Sequence, residues 1–338
     1  MRFAPGTASA GTARQLAIAT VTGAMLWAAP VAAQKFPERP LTLIVPFAAG
    51  GAADTTGRIM ADAMSRHLGQ NIIVENIGGA GGATGSVRGK NANPDGYTIG
   101  LGHMGTHGAA VATNPKLPHN PKTDFSYLGL VAVTPNIIFV RNNFPAKDLK
   151  EFITYARDKQ DNIKFGHSGI GAASHITCVL FFQLIGVKPT YVAYTGFGQT
   201  INDIMSQNLD GSCDLVASVS GQVNGGLTRA LVLAAEERSA TVPNVPTAKE
   251  AGLPEFKAET WTGLYAPKNT PPEILAKLQD AVARSLADPA VQKRLNDIGA
   301  RAPRASEQGG AYMQNLVNSE VDRWVAILAK DAPTPKPQ

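Results

Sequence analysis

Pro40-Leu-Thr-Leu-Ile-Val-Pro-Phe-Ala-Ala-Gly-Gly-Ala-Ala-Asp54 joins an apolar run, residues 41–45, to a glycine turn and then to a helical pattern that begins near Ala53 and Asp54. The run reads as a strand, so the segment is a strand-turn-helix unit. Glycine lets the backbone turn tightly and leaves no side chain between its N–H groups and an incoming ligand. A helix that starts at such a turn aims unpaired donors and the positive end of its dipole at one point, which makes an anion site. A phosphate loop would carry Lys-Ser/Thr after its last glycine. Here Asp54 occupies that region and would repel phosphate. An ordinary strand-to-helix turn fits the same spelling, so the rest of the chain has to decide.

Outward from this unit, apolar strands alternate with helical patterns almost throughout. Strands are expected at 71–75, 97–101, 136–140, 163–165, 190–193, 214–217 and 230–234, with helices at 54–68, 82–90, 149–159, 174–185 and 199–207. The alternation predicts parallel sheets with helices on both faces. A late strand at 258–266 breaks the rhythm, and helices at 272–287, 290–298 and 307–329 close the chain. The first of these opens on Thr270-Pro-Pro-Glu273, a cap followed by proline. Two runs of strand-helix units in a chain of this size predict two doubly wound α/β lobes, the helical tail returning to complete the first. Ligands of such sheets sit beyond the carboxyl ends of the strands, at loops leading into helices. Those loops, 46–54, 78–85, 102–108, 167–175 and 194–198, are rich in Gly, Ser, Thr and Ala and poor in charge. That composition suits backbone recognition of a small anion better than acid–base chemistry.

Residues 1–33 read as a secretory signal. Arg2 and Arg14 give the positive start, 16–31 is apolar and small, and Val31-Ala-Ala33 supplies the cleavage pattern. Pro30 interrupts a run already short for a membrane span. Without the two leader arginines, 29 basic residues face 26 acidic ones, with no basic cluster, so nucleic acid is not an expected partner. Cys178 and Cys213 fall in a predicted helix and at the start of a predicted strand. Pairing in an oxidising compartment and two buried thiols are both open.

The enzyme readings are weak. Gly100-Leu-Gly-His-Met-Gly105 spells a dinucleotide fingerprint but lies in the third strand-helix unit rather than the first. His103 and His107 are four apart, yet Met104-Gly-Thr106 is a poor helix and no Glu separates the pair, so a loop pair lining the cleft or its rim is expected rather than a metal site. Ser168, His175 and Asp214 could be drawn as a hydrolase triad, but Gly166-His-Ser-Gly-Ile170 misses the nucleophile elbow. No cofactor is expected and no catalytic residue is assigned.

Beyond the first segment, the chain carries Asn76-Ile-Gly-Gly-Ala-Gly-Gly-Ala-Thr-Gly85, Pro94-Asp-Gly-Tyr-Thr98, His167-Ser-Gly-Ile-Gly-Ala-Ala-Ser-His175, Val245-Pro-Thr-Ala-Lys-Glu-Ala-Gly-Leu-Pro254 and Trp261-Thr-Gly-Leu-Tyr-Ala-Pro267. In this order the pieces resemble the Bug family of extracytoplasmic solute receptors of tripartite tricarboxylate transporters. The resemblance covers nearly all of the chain after the leader. It implies a periplasmic binding protein of the Venus-flytrap type, a monomer in which two lobes are joined by crossing hinge strands. The expected division is 34–137 plus 259–338 for the first lobe and 138–258 for the second. It also implies a carboxylated solute held between two loops: Phe47, Gly50, Gly51, Ala52, Ala53 and Asp54 in one lobe; Ser168, Gly169, Gly171, Ala172, Ala173, Ser174 and His175 in the other. Thr106, Tyr194 and Asp214 complete the candidate site. Asp214 matches a position the family usually spells aromatic-Asp. Ala48 and Ala52 stand where prolines are common, and Ala172-Ala173 where small hydroxyl residues are common. The absence of a dense Arg or Lys cluster favours a mono- or dicarboxylate, with Phe47, Tyr194 and Phe197 available to an aromatic one such as terephthalate. Membrane subunits of a tripartite transporter are the implied partners. A ligand-presenting partner of a membrane sensor and a periplasmic hydrolase are the alternatives.

Overall fold

The computed structural model of the chain describes residues 1–4, 36–114 and 116–328. Two units divide it, Met1–Phe36 and Pro37–Gln338, and every element below belongs to the second. The signal-peptide reading and its cleavage point after Ala33 lie outside the described residues.

Strand β1 (Leu41–Val45) sits between β2 (Ile72–Asn76) and β3 (Thr98–His103), parallel to both, with Thr42 opposite Ile73 on one side and Thr98 on the other. Leu41, Leu43 and Ile44 are fully buried, which is why this strand reads as a continuous apolar run. Helix α1 (Ala52–Leu68) follows β1 and turns Ile59, Met60, Ala63 and Met64 inward. It packs so closely on the sheet that a Cβ on Gly57 would stand 2.9 Å from the Val45 side chain. The helix stops at Gly69, which takes the left-handed φ of 70° and gives its N–H to the Ser65 carbonyl. Helix α2 (Ala83–Lys90) follows β2, and a wide π turn, Met104–Ala109, followed by the short α3 (Ala110–Thr113), follows β3.

A second set of strands repeats the plan. Strand β5 (Lys164–His167) lies between β6 (Thr190–Ala193) and β7 (Gly211–Leu215), parallel to both. Helices α5 (Ala173–Ile185), α6 (Phe197–Met205) and α7 (Val216–Asn224) follow β5, β6 and β7 in turn. Helix α4 (Leu149–Lys159) precedes β5 and is capped by Asp148, whose carboxylate accepts the Glu151 N–H at 2.8 Å.

Two long strands connect the sets. Strand β4 (Phe125–Arg141) pairs antiparallel with β9 (Glu259–Pro267) along its first half, then with β7 and β8 (Thr228–Leu233) along its second. The resulting order is β2-β1-β3-β9-β4-β7-β5-β6, with β8 also on β4. The alternation predicted parallel sheets. The three-strand groups are parallel, whereas β9 runs antiparallel to β3 and β4, and β4 antiparallel to β7 and β8, so the architecture is a two-lobed mixed α/β fold joined by crossing strands. Helix α8 (Pro272–Ala287) packs on α1 and β4, followed by α9 (Pro289–Asp297), and α10 (Gly310–Leu328) packs on β4 and the Met104–Ala109 turn.

Cys178 of α5 and Cys213 of β7 form a disulfide with a Cα separation of 5.3 Å, resolving the open question in favour of pairing. Phe152, Phe165, Phe181 and Phe182 pack around the same helix. Among the described residues, no helix is long and apolar enough to cross a membrane.

Candidate functional site

A cavity of about 450 Å³ opens where β1, β5, β6 and β7 end. The turn after β1 contributes Phe47 to Ala53; the turn after β5 contributes Ser168 and Ala172 to Ser174; the turn after β6 contributes Thr195 to Gln199; and Asp214, Leu215 and Ser218 come from the β7–α7 junction. The crossing strands add Thr134 of β4 and Thr262 of β9. This position matches the rule that ligands of doubly wound sheets bind outside the carboxyl ends of the strands.

Four helices begin at this cavity. The N-cap residues Gly51 of α1, Ala172 of α5, Gly196 of α6 and Leu215 of α7 all line it. None of these caps has a side chain that accepts an N–H of its helix. The first N–H groups of each helix have no carbonyl one turn back to pair with, and the helix dipole places partial positive charge there. Among the described residues lining the cavity there is no Lys or Arg. Positive potential at this site therefore comes from backbone, as the sequence of the first loop suggests.

Side chains behind the loops hold those donors in place. Asp54 is buried and turned away from the cavity. Its carboxylate accepts the Gly50 N–H at 2.9 Å and the Asn76 amide at 3.0 Å, and pairs with the Arg58 guanidinium at 3.0 Å. These bonds outweigh its burial and hold its carboxyl below the usual carboxylate range. Asn76 also donates to the Phe47 carbonyl at 3.0 Å, tying the end of β2 to the loop after β1. Three histidines do similar work. His103, His167 and His175 each accept, through Nδ1, the N–H of a loop glycine: Gly105 at 2.8 Å, Gly169 at 3.2 Å and Gly171 at 3.3 Å. Accepting there requires a neutral ring with its proton on Nε2. Burial disfavours the imidazolium in all three, bringing His103 and His175 to about 4. His175 is lowered further by neighbouring His167, whose ring lies 4.5 Å away between centroids.

Asp214 and His103 are the two ionisable side chains on the cavity wall among the described residues. Burial pushes the Asp214 carboxyl up to about 6, against the opposing hydrogen bonds from the Leu215 N–H and the Ser218 side chain. His103 lies flat against Phe47, rings 4.8 Å apart and 17° from parallel.

Of the residues expected at the site, Phe47, Gly50, Gly51, Ala52, Ala53, Ser168, Ala172, Ala173, Ser174 and Asp214 line the cavity. Asp54, Thr106, Gly169, Gly171, His175 and Tyr194 do not. Thr106 turns its hydroxyl to the His103 N–H and the His107 ring, and the Tyr194 hydroxyl donates to Asp203. Thr56, Thr134, Gln199, Leu215, Ser218 and Thr262 are cavity residues that the sequence reading did not assign, whereas His103 and Gly196 lie in loops it named, 102–108 and 194–198. Thr134 and Thr262 sit within strands, where a search of loops does not look, although Trp261-Thr-Gly was among the recognised pieces. His107 is fully buried against Phe125 and Tyr265, apart from the cavity. Among the described residues no group of His, Cys, Asp or Glu is placed to hold a metal. Ser168, His175 and Asp214 form no hydrogen-bonded relay, because His175 Nδ1 is taken by Gly171 and Asp214 by Leu215.

Comparison with known proteins places these features in context. Residues 56–332 match the profile of the tripartite tricarboxylate transporter family receptor. A UPF0065 protein from Agrobacterium vitis is 33% identical over 317 residues, covering 94% of this chain and 91% of its own. MatC of Rhodopseudomonas palustris, solved with bound malate, superposes with a TM-score of 0.83 at 42% identity, over 87% of this chain and 100% of that one. A second R. palustris protein, solved with adipate, gives a TM-score of 0.82 at 29% identity, over 87% of this chain and 97% of that one.

Proposed function

The chain belongs to the tripartite tricarboxylate transporter receptor family and is therefore a periplasmic solute-binding protein rather than an enzyme; from this premise we propose that it captures a small dicarboxylate and delivers it to the membrane subunits of a tripartite transporter. One carboxylate is held by the N–H groups that open α1, the other end of the solute by those that open α5, with Ser168 and Ser174 nearby. The observation that carries this reading is the convergence of four helix N-termini on a cavity whose wall, among the described residues, holds no Lys or Arg.

Magnitudes are consistent. Each charge-assisted hydrogen bond contributes roughly 1.5–3 kcal/mol. Three or four of them, less the ordering of two loops, reach about −8 kcal/mol, a micromolar dissociation constant. A trianion would want more fixed positive charge than backbone dipoles supply. The malate and adipate of the two similar structures are both dicarboxylates, which supports the class. Phe47 and Phe197 on the wall keep an aromatic dicarboxylate within the proposal. Residues 34–137 with 259–338, and 138–258, are the two lobes proposed to close on the solute, in the hinge scheme.

A thermal-shift screen of malate, succinate, adipate, terephthalate, benzoate and citrate tests the reading. A ligand at a hundred times its dissociation constant adds about 2.7 kcal/mol to the folded state, enough to raise the melting temperature by several degrees. At least one dicarboxylate is expected to do so. A response to citrate alone, or to none of the panel, would overturn the assignment.

A further inference from the structure

The turn between β2 and α2 meets the turn between β5 and α5 with no side chain in between. A Cβ placed on Gly81 would overlap the Ile170 carbonyl oxygen and stand 3.1 Å from its carbon, and one on Gly169 would meet the Gly81 nitrogen at 3.2 Å. Beside this contact, a Cβ on Gly105 would fall 2.7 Å from the Gly171 carbonyl oxygen and 2.8 Å from the Ala173 nitrogen, and 2.7 Å from the His103 ring of its own set. Real Cβ atoms do not approach that closely, so backbone rests on backbone at both places. Gly81 and Gly105 leave the β1–β3 set, their partners belong to the β5–α5 turn, and neither glycine lines the cavity.

The β2–α2 turn is built to make this approach. Its φ angles are positive at four successive residues, 123° at Gly79, 49° at Ala80, 66° at Gly81 and 97° at Gly82. An alanine in that region persists only when its surroundings fix the conformation. The shape brings the bare Cα of Gly81 onto the Ile170 carbonyl.

We propose that Gly81 and Gly105 form a side-chain-free seam with residues 169–173 that holds the cavity shut over its solute. The seam makes no contact with the solute and exists only when the two strand sets have come together. It therefore favours the closed form directly, and affinity follows the fraction of molecules that close. These two glycines are positioning residues, and this proposal rests on the receptor reading above.

The test uses spin labels at cysteines introduced for the exposed Asn91 and Lys188, with the distance distribution recorded with and without the best dicarboxylate, alongside calorimetry. Gly81→Ala is compared with two controls. Gly78→Ala has 3.6 Å of room for its Cβ, and Gly79→Ala strains the same turn while meeting only Thr84. Wild type and both controls are expected to gain a short-distance population with ligand. Gly81→Ala is expected to melt no lower than Gly79→Ala, whose alanine carries the same left-handed strain, yet to lose that population and bind about tenfold more weakly through faster dissociation. A wild-type distance distribution in Gly81→Ala, or an equal loss in Gly79→Ala, would overturn the seam. If no carboxylate alters the wild type, the receptor reading fails on its own. The seam is then judged without ligand: a short population in wild type that is missing in Gly81→Ala sustains it, and equal distributions refute it.

Discussion

Gly51 has φ −87° and ψ 174°, an extended conformation open to any residue, and the nearest atom to a Cβ there is 3.9 Å away. Its neighbour Gly50 carries the positive φ, 86°, on which the turn depends. Gly51→Val should accordingly fold with an unchanged melting temperature while its branched side chain covers the Ala52 and Ala53 N–H groups. Losing two charge-assisted hydrogen bonds weakens binding by about a hundredfold. Asp54→Asn removes a half-exposed ion pair with Arg58 but keeps an oxygen for the loop, so a loss of about fivefold is expected. Calorimetry on both variants checks the order, and a tighter Gly51→Val than Asp54→Asn would show that the first loop does not bind through its backbone. Asp214 carries a separate expectation. Its carboxyl is raised by burial to about 6, so its stabilising share is full below the unfolded value near 4 and is lost as pH rises through 6. A dianionic solute on the same wall raises it further, so the Asp214 carboxylate takes up a proton when the solute binds. Affinity for a dicarboxylate should therefore improve several-fold from pH 7.5 to 6, with proton uptake visible in buffers of different ionisation enthalpy. In Asp214→Asn both effects should vanish; a wild type indifferent to pH over that range would contradict the coupling.

Helix α5 opens at the cavity and is tied at its middle to β7 by the Cys178–Cys213 disulfide, across a sequence separation of 35. Closing a loop of that length contributes about 4 kcal/mol in the chain-entropy account, so reduction should lower the melting temperature by roughly 5–10 °C. Both cysteines lie in the second strand set and the bond does not span the crossing strands. Ligand affinity should then stay within about twofold, as measured by calorimetry under reducing and oxidising conditions; a tenfold loss would mean that the bond shapes the site as well as the fold. At this scale much was legible in the residues. The strand 41–45 and the helices at 149–159 and 272–287 stand where capping and periodicity put them. The first half of β4 did not, because residues 125–135 are buried on both faces and show no alternation, and Gly129 and Pro135 within them read as breakers. The strand expected at 214–217 runs two residues into helix α7, which was not expected, since Val216-Ala-Ser-Val-Ser-Gly221 combines β-branched and small residues with no strong helical period.

For the molecule as a whole, the two-lobed α/β plan was written in the alternation of elements, and the anion loops in their glycines. The direction of β4 and β9 was not, because strand polarity depends on which segments cross between the lobes, and no local pattern encodes it. The same blindness hid Thr134 and Thr262, which reach the cavity only because those strands pass beneath it side by side. Tyr194 and His175 failed to reach it for the converse reason: each sits in a cavity-forming segment but spends its polar atom on a neighbour, Asp203 or Gly171. The central claim is that backbone at facing helix ends, with no fixed cation, holds a carboxylated solute. A crystal structure with the best-binding dicarboxylate tests it most directly. The account predicts one carboxylate within about 3 Å of the N–H groups opening α1 and the far end of the solute at the start of α5. A carboxylate seated on a lysine or arginine, or a solute bound outside this cavity, would contradict it.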